Sequence, residues 1–235
     1  MSDAGPDLPP PIAAIFDLDG TLIDSAHDLA DAVNEVLAER RLPTHGVDEI
    51  RRWIGEGAER LMERALAGGQ DRPMPADETT HAVARFRAIY ATRSTRHTVL
   101  YPDALEVLDR CAAARIPLAI LTNKPTNQTA PILHHFGLDR RVVAWLGGDS
   151  PYGRKPDPRP LVALLDRMGV GNDPASRAAT WMVGDSITDI RVAHAAGARS
   201  IAVRGGYDDA DPLDRCQPRP DRLIGSLNDL LRWLP

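Results

Sequence analysis

The chain contains very little lysine. Only two of its 28 basic residues are lysine, Lys124 and Lys155, and the other 26 are arginine. The basic residues are outnumbered by 33 acidic ones, so the formal net charge is -5. A protein that binds nucleic acid by neutralising phosphates needs a basic surplus or a basic stripe, and this sequence has neither. We therefore expect no nucleic-acid partner.

Long apolar runs and clustered cysteines are also missing. No apolar run approaches the roughly 20 residues that span a bilayer. The N-terminal sequence MSDAGPDLPPP lacks the basic and apolar regions of a secretory signal, so residues 1–11 are predicted to form a disordered lead. The two cysteines, Cys111 and Cys216, are far apart and are expected to be reduced thiols. Together these absences predict a cytoplasmic protein with no membrane partner.

Hydrophobic periodicity indicates an α/β protein. Residues 12–17, IAAIFD, form a compact apolar run that is typical of a buried parallel strand. Only helical patterns follow until residue 99. Strand and helix patterns then alternate, with strands expected at 116–121, 142–147, 180–184 and 199–204 and helices at 103–114, 126–136, 158–168, 187–196 and 226–234. We predict a doubly wound, Rossmann-like parallel sheet from residues 12–24 and 100–235, interrupted by an all-α insertion at 25–99.

Polar residues follow four of the predicted strands. In open α/β sheets, ligands bind beyond the carboxyl ends of the strands. The side chains expected at that edge are those of Asp17, Asp19, Thr122, Asn123, Lys155, Asp185 and Asp189. Each has an ordinary structural explanation when taken alone, such as a turn hydroxyl for Thr122 or a helix cap for Asp185. Their arrival at one edge from four different strands favours a functional site.

This combination of groups predicts phosphoryl transfer. Carboxylates crowded at the end of a buried sheet repel one another, and a hard divalent cation such as Mg²⁺ relieves that repulsion. Hydroxyl, amide and ammonium groups beside a cation complement a phosphate. We interpret Asp17 as a nucleophile that forms an aspartyl-phosphate and Asp19 as the general acid and base. Gly20 directly follows Asp19 and allows the chain to turn at the end of this strand.

Four motifs resemble those of the haloacid dehalogenase superfamily, and they occur in the same order. The motifs are DLDGTL (17–22), LTN (121–123), RKPDP (154–158) and GDSITD (184–189). The resemblance extends over nearly the whole chain from about residue 12. The all-helical insertion at 25–99 is similar to the superfamily's α-helical cap, which closes over the substrate and excludes water.

The resemblance implies a role for each residue in these motifs. Asp17 would be the nucleophile and Asp19 the general acid and base. Mg²⁺ would be bound by Asp17, Asp185 and the main-chain carbonyl of Asp19, while Asp189 would support a metal ligand or act on the metal through water. Family members differ over which acidic residue of this motif contacts the metal, so direct contact by Asp189 stays an alternative. The phosphate would be held by Gly20, Thr122, Asn123 and Lys155.

A narrower resemblance is to the bacterial phosphoglycolate phosphatases. It rests on RRWIGEGAERLMERAL (51–66), LAILTNKP (118–125), GGDSPYGRKPDPRPL (147–161) and GGY (205–207). It implies hydrolysis of a small-molecule phosphate ester, 2-phosphoglycolate, to glycolate and phosphate. The substrate's carboxylate would then be bound in the cap, where the main-chain N–H at Gly57 and the guanidinium of Arg64 are the candidates.

Other functions stay open from the sequence alone. A phosphatase for another small sugar or acid phosphate, or a phosphomutase, would use the same core. A receiver-like signalling domain also takes a phosphoryl group on an aspartate, but such domains are shorter and have no helical cap. Residues 25–99 contain no lysine, which excludes the Schiff-base chemistry of phosphonoacetaldehyde hydrolases. The oligomeric state also stays open, with a monomer and a homodimer as the two alternatives.

The two lysines are interpreted differently. In a chain this rich in arginine, lysine at position 155 suits a compact ammonium that must reach one phosphoryl oxygen in a tight site. Lys124 is interpreted only as a neighbour of the site that lies at the surface.

Overall fold

A six-stranded parallel sheet forms the centre of the computed structural model, which describes residues 8–207 and 213–235. The strands of the chain are β1 Ala13–Phe16, β2 Ile23–Asp24, β3 Val99–Leu100, β4 Leu118–Leu121, β5 Ala144–Leu146, β6 Thr180–Gly184, β7 Arg199–Val203 and β8 Arg222–Ile224. The six strands of the main sheet lie in the order β5-β4-β1-β6-β7-β8, while β2 and β3 form a separate antiparallel pair. The predicted doubly wound parallel sheet is therefore confirmed.

Helices cover both faces of this sheet, and four more lie between β2 and β3. The helices are α1 Ala26–Glu39, α2 Val47–Arg51, α3 Ala58–Leu66, α4 Ala76–Ala91, α5 Ala104–Ala113, α6 Thr126–His135, α7 Arg159–Met168, α8 Pro174–Ala178 and α9 Ile187–Ala196. Two 3₁₀ helices occupy Leu138–Arg140 and Leu227–Arg232. β2 lies where the chain leaves the main sheet, and β3 lies where it returns. The two strands pair with each other in antiparallel orientation.

The central strand β1 shows why the sheet is buried on both faces. All four of its residues are buried, and it pairs in parallel with β4 on one side and β6 on the other. Alternate side chains of a strand point to opposite faces. Phe16 accordingly packs in a hydrophobic cluster with residues of α5 and α6, whereas Ile15 packs in a different cluster with residues of α7 and α9.

The helices α1 to α4, here called the helical unit, have a hydrophobic cluster of their own. Val33, Met62 and Phe86 are buried at its centre, and they come from α1, α3 and α4. The amphipathic pattern of α1 explains this packing, since its buried residues recur on one face. The predicted domain boundaries at residues 25 and 99 stay a prediction, but the helical unit buries its apolar side chains separately from the sheet.

The C-terminal part of the chain differs from the prediction in three places. The segment expected to be an α-helix at 226–234 is a 3₁₀ helix, Leu227–Arg232, which begins with a capping box formed by Ser226 and Asp229. The short elements α8 and β8 are absent from the prediction because five and three residues are too few to display a period. β8 lies at the edge of the sheet beside β7.

The predicted disordered lead, residues 1–11, lies mostly outside the described residues. Within the described part, Leu8 is only 6% exposed and belongs to the hydrophobic cluster of the sheet. Among the residues that the structure describes, none of the helices has the length and apolar character needed to cross a membrane.

Candidate active site

The ends of three strands, together with the loop that follows β5, bring the predicted site residues to one edge of the sheet. Asp17 and Asp19 follow β1, Thr122 follows β4, and Asp185 follows β6. Asp17, Asp185 and Asp189 each have a carboxylate oxygen within 4.8 Å of the others, and all three side chains are buried. Parallel strands place their carboxyl ends at the same edge, which explains why residues far apart in sequence meet here.

Lys155 lies between two of these carboxylates. Its Nζ is 2.7 Å from Asp17 Oδ1 and 2.7 Å from Asp189 Oδ1. Burial acts to lower the pKa of Lys155, but the attraction of the two carboxylates outweighs it, and the pKa lies above its ordinary value. The buried lysine is therefore a permanent positive charge at the base of the site, where the sequence predicts a phosphate contact.

Two neighbours hold the carboxylate of Asp185. Thr21 Oγ1 donates to Asp185 Oδ1 over 2.8 Å, and the main-chain N–H of Tyr207 donates to Oδ2 over 2.7 Å. Burial, with the charge of Asp189 added to it, raises the pKa of Asp185 to about 7. Burial also raises the pKa of Asp17. Both shifts come first from burial and then from neighbouring carboxylates, and a hard divalent cation bound by the carboxylate oxygens would offset them.

Asp189 caps α9 as well as facing the site. Its Oδ2 accepts hydrogen bonds from the main-chain N–H and the hydroxyl of Ser186, at 3.0 Å and 2.6 Å, while Oδ1 faces Lys155. Both oxygens thus have partners within the protein. This geometry agrees with the predicted indirect contact to a metal, which itself stays a prediction.

Gly20 allows Asp185 to approach the end of β1. The glycine has a φ of +85°, and a Cβ at this position would collide with the Asp185 carboxylate. Its conformation and the close approach both require glycine. The predicted contact of Gly20 with phosphate is a separate matter and stays a prediction.

Asp19 is bound by Lys124, so the interpretation of Lys124 as a surface residue is wrong. The Nζ of Lys124 lies 2.8 Å and 3.0 Å from the two carboxylate oxygens of Asp19, and the lysine is only 7% exposed. The ring centroid of Tyr90, from the helical unit, lies 4.7 Å from the same Nζ. Burial acts to lower the pKa of Lys124, but Asp19 outweighs it and the pKa is raised. The buried ammonium keeps its positive charge because the Asp19 carboxylate and the Tyr90 ring offset the cost of removing that charge from water.

Thr122 and Asn123 link the end of β4 to its surroundings. The hydroxyl of Thr122 accepts a hydrogen bond from the main-chain N–H of Lys124 at 3.1 Å. The amide Nδ2 of Asn123 donates to the carbonyl of Gly55 in the helical unit at 3.3 Å and to the carbonyl of Lys155 at 3.2 Å. Asn123 therefore connects the helical unit to the loop that carries Lys155.

A pocket with a volume of about 60 Å³ lies between this sheet edge and the helical unit. Its polar wall comes from the sheet edge and from Gln128 at the start of α6. Its apolar wall comes from the helical unit and consists of Leu29, Ile54, Ala58, Leu61 and Phe86. Gly57 lines the pocket, while its predicted contact with the substrate's carboxylate stays a prediction. Arg64 is not among the described lining residues, and its guanidinium lies 2.7 Å from Glu56 Oε1.

Sequence reasoning missed several residues that organise this site. The hydroxyl of Ser25 donates to Asp19 Oδ1 at 2.5 Å, and the hydroxyl of Tyr207 accepts from the main-chain N–H of Ser25 at 2.6 Å. Arg51 of the helical unit donates two hydrogen bonds of 3.0 Å to Asp24 Oδ2, with its guanidinium 5.3 Å from the Tyr207 ring centroid. The scarcity of lysine was the one sequence signal that singled out Lys124.

Comparisons with known proteins agree with this geometry. Residues 13–197 match the family model of the haloacid dehalogenase-like hydrolases. The phosphoglycolate phosphatase of Escherichia coli (strain K12) is 36% identical over 232 residues, covering 92% of this chain and 89% of that protein. The phosphoglycolate phosphatase of Rhodospirillum rubrum is 44% identical over 200 residues, covering 84% and 81%.

A solved structure shows a similarity of the same extent. The crystal structure of a predicted phosphoglycolate phosphatase from Haemophilus somnus 129PT superposes with a TM-score of 0.82 at 34% sequence identity. The match covers 94% of this chain and 96% of that one. The similarity therefore includes both the sheet and the helical unit.

Proposed function

The chain belongs to the haloacid dehalogenase-like hydrolases and is a phosphatase, and we propose that it hydrolyses 2-phosphoglycolate through a covalent aspartyl-phosphate on Asp17. The observation that carries this proposal is the meeting of Asp17, Lys155 and Asp185 in one buried site at the base of the pocket. A nucleophile, a fixed positive charge and a set of metal-binding oxygens are the parts that phosphoryl transfer requires.

The donor set fits Mg²⁺. Oxygens of Asp17 and Asp185, together with the main-chain carbonyl of Asp19, would hold the ion, and Asp189 would orient its water ligands. When bound, Mg²⁺ supplies positive charge that neutralises the phosphate oxygens and offsets the repulsion among the carboxylates. The raised pKa of Asp185, caused first by burial and then by the charge of Asp189, supports this assignment because a bound cation would offset both effects.

The chain's own residues would perform two successive displacements. In the first, a carboxylate oxygen of Asp17 forms a bond to phosphorus while the bond from phosphorus to the ester oxygen breaks. Asp19 donates a proton to that leaving oxygen, so the alcohol departs neutral. In the second, Asp19 takes a proton from water, the water oxygen bonds to phosphorus, and the bond to Asp17 breaks. The net result is one alcohol and one inorganic phosphate, with both aspartates restored.

Other residues would hold the transferred group. Lys155 is already charged and lies against Asp17, so its ammonium can follow the phosphoryl oxygens through both steps. Thr122, Asn123 and Gly20 would supply further hydrogen bonds. We assign the helical unit, with the predicted boundaries 25–99, as a cap that excludes water while the aspartyl-phosphate exists. Its apolar wall over the pocket supports that role.

The choice of 2-phosphoglycolate rests on the relatives. The curated relatives from Escherichia coli and Rhodospirillum rubrum, which match most of the chain, are phosphoglycolate phosphatases. We further propose a cytoplasmic enzyme that acts on small molecules and has no nucleic-acid or membrane partner.

A panel of small phosphate esters tests this function. The specificity constant kcat/KM should be highest for 2-phosphoglycolate in a set that includes ethyl phosphate, glycerol phosphates and β-glucose 1-phosphate. A sugar phosphate at the top would contradict the substrate assignment, and isomerisation of β-glucose 1-phosphate would indicate a phosphomutase. Failure to turn over many substrate molecules per chain would indicate a receiver-like domain.

A further inference from the structure

The proposed substrate has two anionic ends, and only one of them is accounted for. The phosphate would lie beside Lys155 and the metal-binding carboxylates. The carboxylate would enter the pocket between the sheet edge and the helical unit. A carboxylate that leaves water needs a charged hydrogen-bond partner, because its desolvation is otherwise costly. The following inference rests on the proposed function and asks which residue supplies that partner.

Among the described residues that line the pocket, two are cations. Lys155 is engaged by Asp17 and Asp189 at the phosphate end. Lys124 is the other, and it lines the pocket beside Pro125 and the first turn of α6. The arginine that the sequence suggested for this task, Arg64, faces Glu56. Position in the pocket therefore favours Lys124.

The surroundings of Lys124 leave part of its ammonium available. A lysine ammonium has three N–H donors. The two oxygens of Asp19 take up one side of it, at 2.8 Å and 3.0 Å, and the ring of Tyr90 faces it at 4.7 Å from Nζ to the centroid. An aromatic face accepts positive charge without consuming a hydrogen bond from the ammonium. The ammonium is thus fixed in place at the wall of the pocket, with capacity for an anionic ligand.

A second donor lies on the same wall. Gln128 is in the first turn of α6 and is only 3% exposed, yet its Nε2 has no hydrogen-bond partner in the described part of the protein. Buried amide groups normally find a partner, since an unpaired donor is costly. An acceptor brought by a ligand in the pocket would satisfy it.

We propose that Lys124 determines substrate specificity by binding the carboxylate of the substrate, with Gln128 Nε2 as an accompanying donor. The same ammonium positions Asp19. One lysine would therefore both select the substrate and hold in place the aspartate that protonates the leaving oxygen. The ammonium of lysine is a compact point charge that can contact one substrate oxygen in a small pocket, whereas the planar guanidinium of arginine pairs with carboxylates as a rigid fork. Lysine at position 124, in a chain with 26 arginines, fits this role as lysine does at position 155.

The test compares two substrates that differ only in the carboxylate end. 2-Phosphoglycolate and ethyl phosphate have the same two-carbon length, and the second lacks the carboxylate. Lys124→Met keeps the length of the side chain and removes its charge. We expect kcat/KM for 2-phosphoglycolate to fall about 10- to 100-fold more than kcat/KM for ethyl phosphate, with most of the excess in KM. Gln128→Leu should shift the same ratio in the same direction by a smaller factor, and it leaves Asp19 untouched.

Each alternative gives a different result. Equal losses for both substrates in Lys124→Met, with an unchanged ratio in Gln128→Leu, would show that Lys124 acts only through Asp19 and would overturn the inference. The ratio of kcat/KM for 2-phosphoglycolate to kcat/KM for ethyl phosphate could instead fall in Arg64→Met and stay unchanged in Lys124→Met. That result would overturn the inference and assign the carboxylate contact to Arg64. No preference for 2-phosphoglycolate in the wild type would overturn the proposed substrate as well. A wild-type preference that Lys124→Met retains overturns the inference alone.

Discussion

The sheet edge and the helical unit meet across one pocket, but they contribute different kinds of groups. At the sheet edge, charged side chains are packed against one another, as in the contact of Lys155 with Asp17 and Asp189. The facing wall of the helical unit is apolar, with Leu61 and Phe86 among its residues. The difference agrees with our proposal that the chemistry belongs to the sheet edge and that the helical unit controls access, shape and the exclusion of water.

The few polar contacts between the two regions lie at their junction. Asn123 donates to the carbonyl of Gly55, Arg51 pairs with Asp24, and Tyr90 faces Lys124. Substitutions at the sheet edge should therefore abolish the reaction, while substitutions at the junction should change its efficiency and leave it possible. Substitutions in each region therefore test that division.

Replacing the nucleophile should have the largest effect. Asp17→Asn keeps the shape of the side chain but removes the attacking charge, so we expect turnover to fall by at least about 1,000-fold. Release of inorganic phosphate from 2-phosphoglycolate measures it. Asp109→Asn is a matched control, because this exposed aspartate pairs with Arg141 far from the site and should retain wild-type turnover. Wild-type activity in Asp17→Asn would contradict the assignment of Asp17 as the nucleophile and of the sheet edge as the site of the reaction.

Weakening the metal site should have the next largest effect. Asp185→Asn removes one charged ligand, so kcat/KM should fall about 100-fold and half-maximal activity should need more Mg²⁺. A titration of activity with Mg²⁺ after chelation of the wild type and the variant measures both. Activity of the wild type that survives exhaustive chelation would contradict a metal-dependent site.

Loosening the junction should have a moderate effect. Arg51→Met removes two hydrogen bonds to Asp24 and the contact with the Tyr207 ring. We expect kcat/KM for 2-phosphoglycolate to fall by about 10-fold or less, because the helical unit is then held less firmly over an intact sheet edge. Arg52→Met, one residue further along and exposed, is the matched control. A loss as large as that of Asp17→Asn would place catalytic groups in the helical unit.

The smallest effect concerns the pH dependence of stability. The pKa of Asp185 is raised to about 7, above its ordinary 3.8, because of burial and then of Asp189. Between these values the folded protein binds a proton that the unfolded chain has lost, so stability is complete below the lower value and is lost as the pH rises through the upper one. In chelator, the midpoint of thermal unfolding should fall by a few degrees more in the wild type than in Asp185→Asn between about pH 5 and about pH 8. If the midpoint of thermal unfolding depended on pH equally in both proteins, the raised pKa of Asp185 would be contradicted.

Much of this architecture could be predicted because the signals are local. Each strand of the sheet interior is a short apolar run, and the residues at its carboxyl end follow directly, as Asp17 follows β1 and Asp185 follows β6. Parallel pairing then brings those ends together without further information. The missed elements include β2, β3, α8 and β8, which are too short to show a period.

The remaining features depend on contacts between residues that are distant in sequence. Lys124 is buried because Asp19, 105 residues earlier, and the ring of Tyr90 lie beside it. Tyr207 contacts Ser25, which is 182 residues away. No pattern in the neighbouring sequence reports such a contact. The same reason explains why Arg64 was a candidate for the pocket although its guanidinium faces Glu56.

The covalent step on Asp17 is the centre of the proposed mechanism, and it can be observed chemically. Borohydride reduces an acyl phosphate to the corresponding alcohol, which converts a phosphorylated aspartate to homoserine. Enzyme quenched during turnover of 2-phosphoglycolate, reduced and digested, should contain homoserine at position 17, and mass spectrometry of the peptide locates it. Homoserine at position 19 or 185, or unmodified Asp17 in enzyme quenched while phosphate is being released, would contradict the mechanism.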